Sequence, residues 1–372
     1  MAKLRVLVAQ IAVLPRKKTT SASSSPFKLT SEPATDTTML FNHLITIFTL
    51  PALALFHSLP AKTISQLSLG TWLENIAVRS NGDLLVTELW PAASIYTIAY
   101  PPSSNKLKEL VTLSSIQGLL GIAELPPCPG KPETFVVVGS NATGLSQLIP
   151  GTFKAFAVEF YGKRRVRVRK ISDMTKKSTF LNGVAAIPGV PNAVLISDSV
   201  KGFVGRLDVS TGIFDDATFT FPEMAPPAPN AFGINGVKIR QGYLYWSNSN
   251  AVKIYKTAIT PTGYPVKGSK PQLVADLLHV VTFLDDFEFD ARGNIYATSN
   301  SDNSVVFVDV KSGEAKIVVG SVNELTVAGS TSLAFGRGKE DKDVFYVSTG
   351  GGLFKPINGT MTEGAKVVAV KV

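Results

Sequence analysis

One hydrophobic and polar pattern recurs along the chain, in which a polar corner leads into an apolar strand, a turn and a second apolar strand. Four clear copies begin Glu74-Asn75-Ile76, Asn182-Gly183-Val184, Asn235-Gly236-Val237 and Asp285-Asp286-Phe287. Two weaker copies begin at Leu120 and Thr331. The six corners are separated by 46, 62, 53, 50 and 46 residues, a spacing typical of four-stranded propeller blades.

The strands that follow the corners predict an all-β fold, a six-bladed β-propeller. In the clear copies the second strand ends in a small hydroxyl residue, at Thr87, Ser197, Ser247 and Thr298. Further alternating runs follow, and several of them end in turn signals such as Thr211-Gly212 and Ser312-Gly313. Because residues 62–69 precede the first corner and Lys366 to Val372 can pair beside them, we expect strands from both ends of the chain to close the last blade. The propeller is predicted to span residues 62–372.

Residues 1–61 are predicted to be a leader outside the propeller. Residues 39–61 are the most apolar segment and are similar to a secretory signal peptide beginning at Met39, with Leu59 and Ala61 at its cleavage site. This segment would be a poor membrane span because it contains His43, Pro51 and His57. We therefore expect no stable membrane span after processing. Two sequons, at Asn141 and Asn358, fit a secreted glycoprotein. The alternative is mitochondrial targeting by residues 1–31, which are basic, rich in Ser and free of acidic residues.

Composition and charge narrow the classes of partner. The chain has 372 residues, 45% of them hydrophobic and 17% charged, with 30 Gly and 23 Pro, which favours short strands and tight turns. The net charge of +9 includes a basic run from Lys163 to Lys170. That run alternates Arg with Val and lacks interleaved aromatic residues, so we interpret it as a solvated outer strand and expect no nucleic-acid partner. A monomer that acts on small apolar or aromatic molecules is expected.

Four corners carry the candidate chemistry: Glu74, Asn182, Asn235 and Asp285. In a propeller these corners converge on one axis, where carboxylate and amide oxygens suit a hard divalent cation. The alternative is structural, since Asn and Asp also cap tight turns. Cys128, the only cysteine, lies in a proline-rich loop, and His279 is the only histidine after the leader, so a nucleophile with an adjacent base is not indicated.

On these corners the chain resembles the superfamily of senescence marker protein 30, the gluconolactonases and the strictosidine-synthase-like propellers. The segment from Asp285 to Tyr296 is similar to the superfamily's Asp-Gly and Asp-Ala-x-Gly-x-Leu-Trp pattern, and Glu74, Asn182 and Asn235 match its other corners. The resemblance covers roughly residues 63–372. It implies a divalent cation, usually calcium, on the propeller axis, held by these four side chains.

The chain departs from the metal-dependent lactonases of this superfamily beside the second of these corners. Phe180 stands where those enzymes commonly carry an arginine that orients a polar substrate. Trp72, Phe232 and Phe283 also precede corners, so we expect an aromatic rim that suits a hydrocarbon or aromatic ligand. Packing of these rings between blades is the alternative.

The segment Thr71-Trp72-Leu73-Glu74-Asn75-Ile76-Ala77-Val78 also resembles a fungal secreted branch of the superfamily. That branch includes the hetero-Diels–Alderases that join a tropolone-derived quinone methide to a humulene-type sesquiterpene. The resemblance implies a pericyclase that needs no cofactor, with the four corners as catalytic residues and Trp72, Phe180, Phe232 and Phe283 contacting substrate. A calcium-dependent lactonase or esterase is the first alternative, and a non-catalytic binding propeller is the second.

Overall fold

The computed structural model describes residues 58–145, 147–162, 165–174 and 176–372. Residues 1–57, most of the predicted leader, lie outside the described residues, as do Lys163 and Arg164 of the basic run. The described residues belong to one unit, Leu55–Val372. No described segment forms a helix with the length and apolar character needed to cross a bilayer.

Six four-stranded antiparallel sheets form the six predicted blades. The chain begins with β1 (Ala61–Gln66), which belongs to the last blade. Blade 1 contains β2 (Trp72–Val78), β3 (Leu84–Trp90), β4 (Ser94–Ile98) and β5 (Lys108–Thr112). Blade 2 contains β6 (Gly118–Glu124), β7 (Glu133–Ser140), β8 (Lys154–Tyr161) and β9 (Arg165–Asp173). Blade 3 contains β10 (Leu181–Ala186), β11 (Ala193–Asp198), β12 (Phe203–Asp208) and β13 (Phe214–Phe219).

The second half of the chain repeats the arrangement. Blade 4 contains β14 (Ile234–Arg240), β15 (Tyr243–Asn248), β16 (Lys253–Ala258) and β17 (Gln272–Asp276). Blade 5 contains β18 (Phe287–Phe289), β19 (Ile295–Ser299), β20 (Ser304–Val308) and β21 (Ala315–Gly320). Blade 6 contains β22 (Ser330–Phe335), β23 (Val344–Thr349) and β24 (Lys366–Lys371), with β1 as its outer strand. Two single 3₁₀ turns, Pro222–Met224 and Asn300–Asp302, are the only helical elements among the described residues.

Both ends of the chain close the last blade, as the sequence predicts. β1 pairs antiparallel with β24, with Ala61 opposite Val370 and Gln66 opposite Lys366. β24 also pairs with β23 along its length, so it lies between β23 and β1. Ala61 therefore belongs to this sheet, one residue before the predicted start of the propeller.

Apolar side chains fill the spaces between neighbouring blades, because each sheet is covered on its faces by the sheets beside it. Leu85 of blade 1, for example, packs with Phe135 and Val137 of blade 2, and all three are fully buried. Residues 165–170 of the basic run lie in the outer strand β9, as predicted, and their valines, Val166 and Val168, pack inward against the same cluster. Stability thus depends on a complete ring of blades.

Candidate functional site

The corner residues lie at bulges where the inner strand of each blade enters the channel. We call the end of the channel where the inner strands begin, at Trp72 and Phe180, the upper face, and the opposite end the lower face. The pairing of inner and second strands shifts register at the corners in five blades: between Leu73 and Asn75, Leu119 and Ile122, Leu181 and Val184, Ile234 and Val237, and Ser330 and Ser332. In blade 5, Asp285 lies two residues before β18, which begins at Phe287. The interpretation of these corners as tight turns is therefore wrong, because a bulge re-aims the side chain within the strand.

A belt of hydroxyl groups fixes the bulges, and all but one of them lie on the second strands. In blade 4 the Ser247 hydroxyl accepts a bond from Gly236 N at 2.9 Å and donates to Asp285 O of blade 5 at 2.6 Å. Equivalent bonds from second strands link Thr87 to Leu120 O, Ser197 to Asn235 O and Thr298 to Thr331 O. Between blades 6 and 1 the hydroxyl comes from the inner strand β22, where Thr331 donates to Leu73 O. Among the described residues, the contact of blade 2 with blade 3 lacks such a hydroxyl bond.

Glycine follows the corner in blades 2, 3 and 4 because the next blade approaches too closely for a side chain. A Cβ atom on Gly121 would lie 2.2 Å from Asn182 O, and one on Gly183 would lie 2.5 Å from Asn235 O. On Gly236 it would lie 2.3 Å from a carboxylate oxygen of Asp286. The Asn-Gly pairs of the sequence therefore mark contacts between blades at the channel.

The structure places the four predicted side chains in the upper channel, where each residue is only 5–6% exposed. Asn235 Nδ2 donates to Asp285 Oδ1 at 2.9 Å and to Ser249 Oγ at 3.0 Å. Asn300 Nδ2 donates a longer bond, 3.4 Å, to Asp285 Oδ2. Asp285 is therefore held from two sides by amides.

Glu74 is held by a different partner. The Trp72 indole N–H donates to Glu74 Oε2 at 2.5 Å. The tryptophan ring fits here because Gly350 of blade 6 faces it, where a Cβ atom would lie 2.8 Å from the indole. Glu74 is thus positioned by Trp72, whereas the bonds that position Asp285 come from Asn235 and Asn300.

The pKa values of both carboxyl groups are raised. Burial raises the pKa of Glu74 to about 7, with an opposing contribution from the Trp72 hydrogen bond and a further one from Asp286. Burial also raises the pKa of Asp285 well above its usual range, and the nearby carboxylates Glu74 and Asp286 add to the effect. A raised pKa extends the pH range in which a carboxyl group keeps its proton and can donate it in a hydrogen bond.

Asn182 is the least constrained of the four. Its amide forms no hydrogen bond with another described residue, whereas Asn235, its counterpart in blade 4, bonds both Ser249 and Asp285. Ser199, the counterpart of Ser249, has a buried hydroxyl without a partner among the described residues. Both groups remain available to a ligand oxygen at the junction of blades 3 and 4.

Aromatic rings surround the upper end of the channel in two groups. Phe180 and Phe232 contact each other with ring centroids 5.0 Å apart, and Phe153 lies 6.3 Å from Phe180. On the other side Phe354 lies 6.5 Å from Trp72 and 6.2 Å from Phe283. Phe180 and Phe232 are half-buried and Trp72 and Phe283 are buried, so these rings both pack together and border the opening.

Phe354 is a rim residue that the sequence analysis missed. Its ring is 48% exposed and joins Trp72 of blade 1 to Phe283 of blade 5 from the loop that connects β23 to β24. The loop begins Gly350-Gly351-Gly352, with positive φ at the last two residues. This glycine run was the available signal, since it marks an unusual path of the backbone beside a predicted corner.

A second signal was present two residues before each corner. Aromatic residues and glycines alternate there around the ring: Trp72, Gly118, Phe180, Gly233, Phe283 and Gly329. Gly118 and Gly233 lie where main-chain oxygens would contact a Cβ atom, at 2.5 Å and 2.3 Å. The alternation spaces the rings around the opening.

The donor types of the upper site suit a hard cation. Among the described residues no group of three or more His, Cys, Asp and Glu side chains is placed to hold a metal ion. The set here contains two carboxylates and two amides, with Glu74 Oε1 and the amide oxygens of Asn182 and Asn235 free of hydrogen bonds to described residues. If a cation binds, these oxygens and Asp285 would hold it, and the ion would polarise a carbonyl oxygen.

A second polar layer lies below this site and was not foreseen from the sequence. Lys238 Nζ donates to both carboxylate oxygens of Asp286, at 2.9 and 3.0 Å. Ser332 Oγ and Asn75 Nδ2 donate to Asp286 Oδ2 at 2.7 and 3.3 Å. Asp286 is thus fully bonded, and its neighbour Asp285 is the residue that faces the upper site.

Comparison of the sequence with known proteins identifies named relatives of this chain. A protein from Phoma sp named "Putative hetero-Diels-Alderase" is 33% identical over 315 residues, which cover 78% of this chain and 86% of the relative. A second, from Sarocladium schorii and named "Putative hetero-Diels-Alderase asR5", is 28% identical and 78% of each chain is covered. No family model matches the chain.

Solved structures agree on the fold. A luciferin-regenerating enzyme superposes with a TM-score of 0.58 at 14% identity, covering 84% of this chain and 95% of that one. The calcium-binding protein regucalcin from Agrobacterium tumefaciens gives a TM-score of 0.54 at 12% identity, with coverage of 85% and 96%. At these identities the likeness concerns the six-bladed propeller alone.

Proposed function

Because this chain belongs to the hetero-Diels-Alderase family, we propose that it is an enzyme that catalyses a hetero-Diels–Alder cycloaddition in natural-product biosynthesis. One partner is an oxygen heterodiene, such as a tropolone-derived quinone methide, and the other is an apolar alkene of the terpene class. In this reaction one C–C bond and one C–O bond form together, with no net transfer of protons or electrons. The protein therefore has to hold two reactants in a reactive pose and stabilise negative charge on the heterodiene oxygen.

The observation that carries the proposal is the combination of two buried carboxyl groups, whose pKa values are raised, with an aromatic rim. A protonated Glu74 or Asp285 can donate a hydrogen bond to the heterodiene oxygen without taking part in a net proton transfer. Such a bond withdraws electron density from the heterodiene, and it strengthens as the oxygen gains charge in the transition state. Asn182 supplies a free amide N–H beside the same space.

The rim supports the binding of the second reactant. Its two groups of rings, one around Phe180 and Phe232 and one around Phe354, border the opening from different blades. Two apolar reactants can each lie against one group, above the polar centre. Holding both together converts a bimolecular step into one within a complex, which is the main source of acceleration available to a cycloaddition.

The test is product formation from an ortho-quinone methide generated in situ and an excess of a cyclic sesquiterpene alkene. We expect product faster than background and of one handedness, unchanged by a metal chelator. Asp285→Asn should slow the catalysed rate about 10- to 100-fold, because it replaces an acidic O–H donor with a weaker amide N–H donor. Asp343→Asn, at an exposed carboxylate on the lower face, is the matched control and should leave the rate unchanged.

Two outcomes would contradict the proposal. Racemic product at the background rate would show that the upper site does not orient the reactants. Hydrolysis of esters or lactones that a chelator abolishes would instead establish the metal-dependent alternative, with Glu74, Asn182, Asn235 and Asp285 as ligands.

A further inference from the structure

Two connected cavities lie on the lower face, away from the upper site. One of about 520 Å³ occupies the lower end of the channel, between the ends of the inner strands. The other, of about 820 Å³, extends outward between the lower loops of blades 2 and 3. Glu124, Ala186 and Arg337 line both cavities, so the two form one continuous cleft from the channel to the edge of the molecule.

The bonded layer around Asp286 stands between this lower cleft and the upper site. Lys238, Asn75 and Ser332 all bond the Asp286 carboxylate across the channel. A ligand in the cleft would therefore meet its own set of residues rather than Glu74 and Asp285.

Most charges along the cleft already have partners. Arg337 is paired with Glu124 at the junction of the two cavities, and Arg169 is paired with Glu159 at 3.4 Å in the outer part. Lys238, at the inner end, donates to Asp286. At the outer end Lys131 and Arg167 also line the cleft, but they are exposed and form no ion pair with a described residue.

Arg240 is the exception at the inner end. It is half-buried, lines the channel cavity and forms no ion pair or side-chain hydrogen bond with another described residue. Its guanidinium lies over the Phe289 ring, 5.3 Å from the centroid, which fixes its plane and leaves its N–H groups unused. A guanidinium held in this way is suited to bidentate recognition of a carboxylate.

Glu288 lines the same cavity but forms no ion pair with Arg240. Its Oε1 accepts a bond from Phe289 N at 2.8 Å, and burial raises the pKa of its carboxyl group, with Lys238 acting in the opposite direction. Arg240 is therefore a cation at the inner end of the cleft that has no ion-pair partner among the described residues.

Proline side chains give the outer part of the cleft an apolar wall. Five prolines line it from the lower loops of blades 2 and 3: Pro126, Pro127, Pro132, Pro188 and Pro191. Proline rings provide a rigid apolar wall that loses little entropy when a ligand binds. An elongated apolar group fits this wall, with its polar end directed toward the channel.

We propose that the lower cleft is a second ligand site, which binds an amphipathic carboxylate with its acid group on Arg240 and its apolar body along the proline-lined loops. The site is independent of the cycloaddition, since no residue that lines it belongs to the upper site. The ligand is identified by its chemistry: one anionic head and an apolar body long enough to pass the Glu124–Arg337 pair.

Isothermal titration with dodecanoate below its micelle concentration, at physiological salt, tests the proposal on the full chain. We expect saturable binding of one equivalent, weakened about tenfold or more by Arg240→Gln because a charge-assisted bidentate contact is lost. Arg165→Gln is the matched control, since Arg165 is an exposed arginine that does not line the cleft. Ala186→Phe, which narrows the junction without touching Arg240, should weaken binding as well.

Several results would overturn the proposal. Equal affinity in Arg240→Gln, or an equal loss in Arg165→Gln, would show that the anion is not held at Arg240. Binding of dodecyltrimethylammonium in place of dodecanoate would show that the cleft selects a cationic head group rather than an anionic one. Loss of dodecanoate binding in Phe180→Ala with no effect of Ala186→Phe would place the ligand in the upper site instead.

Discussion

Glu74 shows how burial at a single position determines the chemistry of the upper site. Its carboxyl group is buried beside the Trp72 indole, and its pKa is raised to about 7. Because the pKa in the folded state exceeds the unfolded value of 4.5, the folded protein binds the proton more tightly. The contribution of Glu74 to stability is therefore present at low pH and is lost as pH rises through about 7.

Glu74→Gln should remove this pH dependence while preserving the bond from Trp72, since the glutamine oxygen can accept it. Between pH 5 and pH 8 the free energy of unfolding of the wild type should fall by about 2–3 kcal/mol because of Glu74. The variant should not show this part of the decrease. Urea unfolding at the two pH values measures the difference. Glu314→Gln is the control and should keep the wild-type pH profile, because Glu314 is exposed in the turn between β20 and β21. Parallel pH profiles for wild type and Glu74→Gln would refute the assignment.

At the residue scale the sequence predicted which side chains enter the channel but not how they interact. The repeat located Glu74, Asn182, Asn235 and Asp285, because position in a blade follows from spacing. It could not show that Asn300 bonds Asp285 or that Lys238 bonds Asp286, since these contacts join different strands or blades. Protonation likewise depends on burial by residues distant in the chain.

At the scale of the strand, the inner strands owe their positions to bulges rather than to regular pairing. The hydroxyl of the second strand accepts a bond from the bulged backbone and donates to the next blade. Glycine after the corner lets the neighbouring backbone approach. The sequence contained both signals, the strand-ending hydroxyls and the Asn-Gly pairs, but a local pattern could not tell a turn from a bulge pressed against another blade.

Gly183→Ala should therefore destabilise the protein by about 2–4 kcal/mol, as overpacking against backbone does. The new methyl group would lie 2.5 Å from Asn235 O and 3.0 Å from Val237 N, neither of which can rotate away. Thermal or urea unfolding measures the loss. Gly144→Ala is the matched control, because the nearest atom there belongs to the flexible Gln147 side chain at 3.4 Å. Similar stabilities of the two variants would contradict the role given to Gly183.

At the scale of the whole molecule, closure of the ring depends on the last seven residues. β24 pairs with β23 on one side and β1 on the other, so it holds both ends of the chain in blade 6. The sequence predicted this closure because residues 62–69 precede the first corner and residues 366–372 can pair beside them. It left the contacts of the upper loops undetermined, Phe354 among them, because loop paths depend on the assembled ring.

Deletion of residues 366–372 should prevent cooperative folding, since it removes both ladders of β24 at once. Soluble yield and a circular dichroism melt measure the effect, and we expect the loss of a single sharp transition. Deletion of Val372 alone is the control, because it is 51% exposed and lies beyond β24. A sharp transition retained without β24 would show that the ring is stable while open.

The hydroxyl belt has a consequence for how such a protein can change its chemistry. At Leu120, Asn235 and Asp285 it uses main-chain oxygens, and the hydroxyls come from neighbouring strands. The belt therefore joins the blades without using the side chains at these corners. A scaffold of this kind can exchange its catalytic groups one at a time, and directed evolution toward a new reaction can begin at the corners without first restoring the fold.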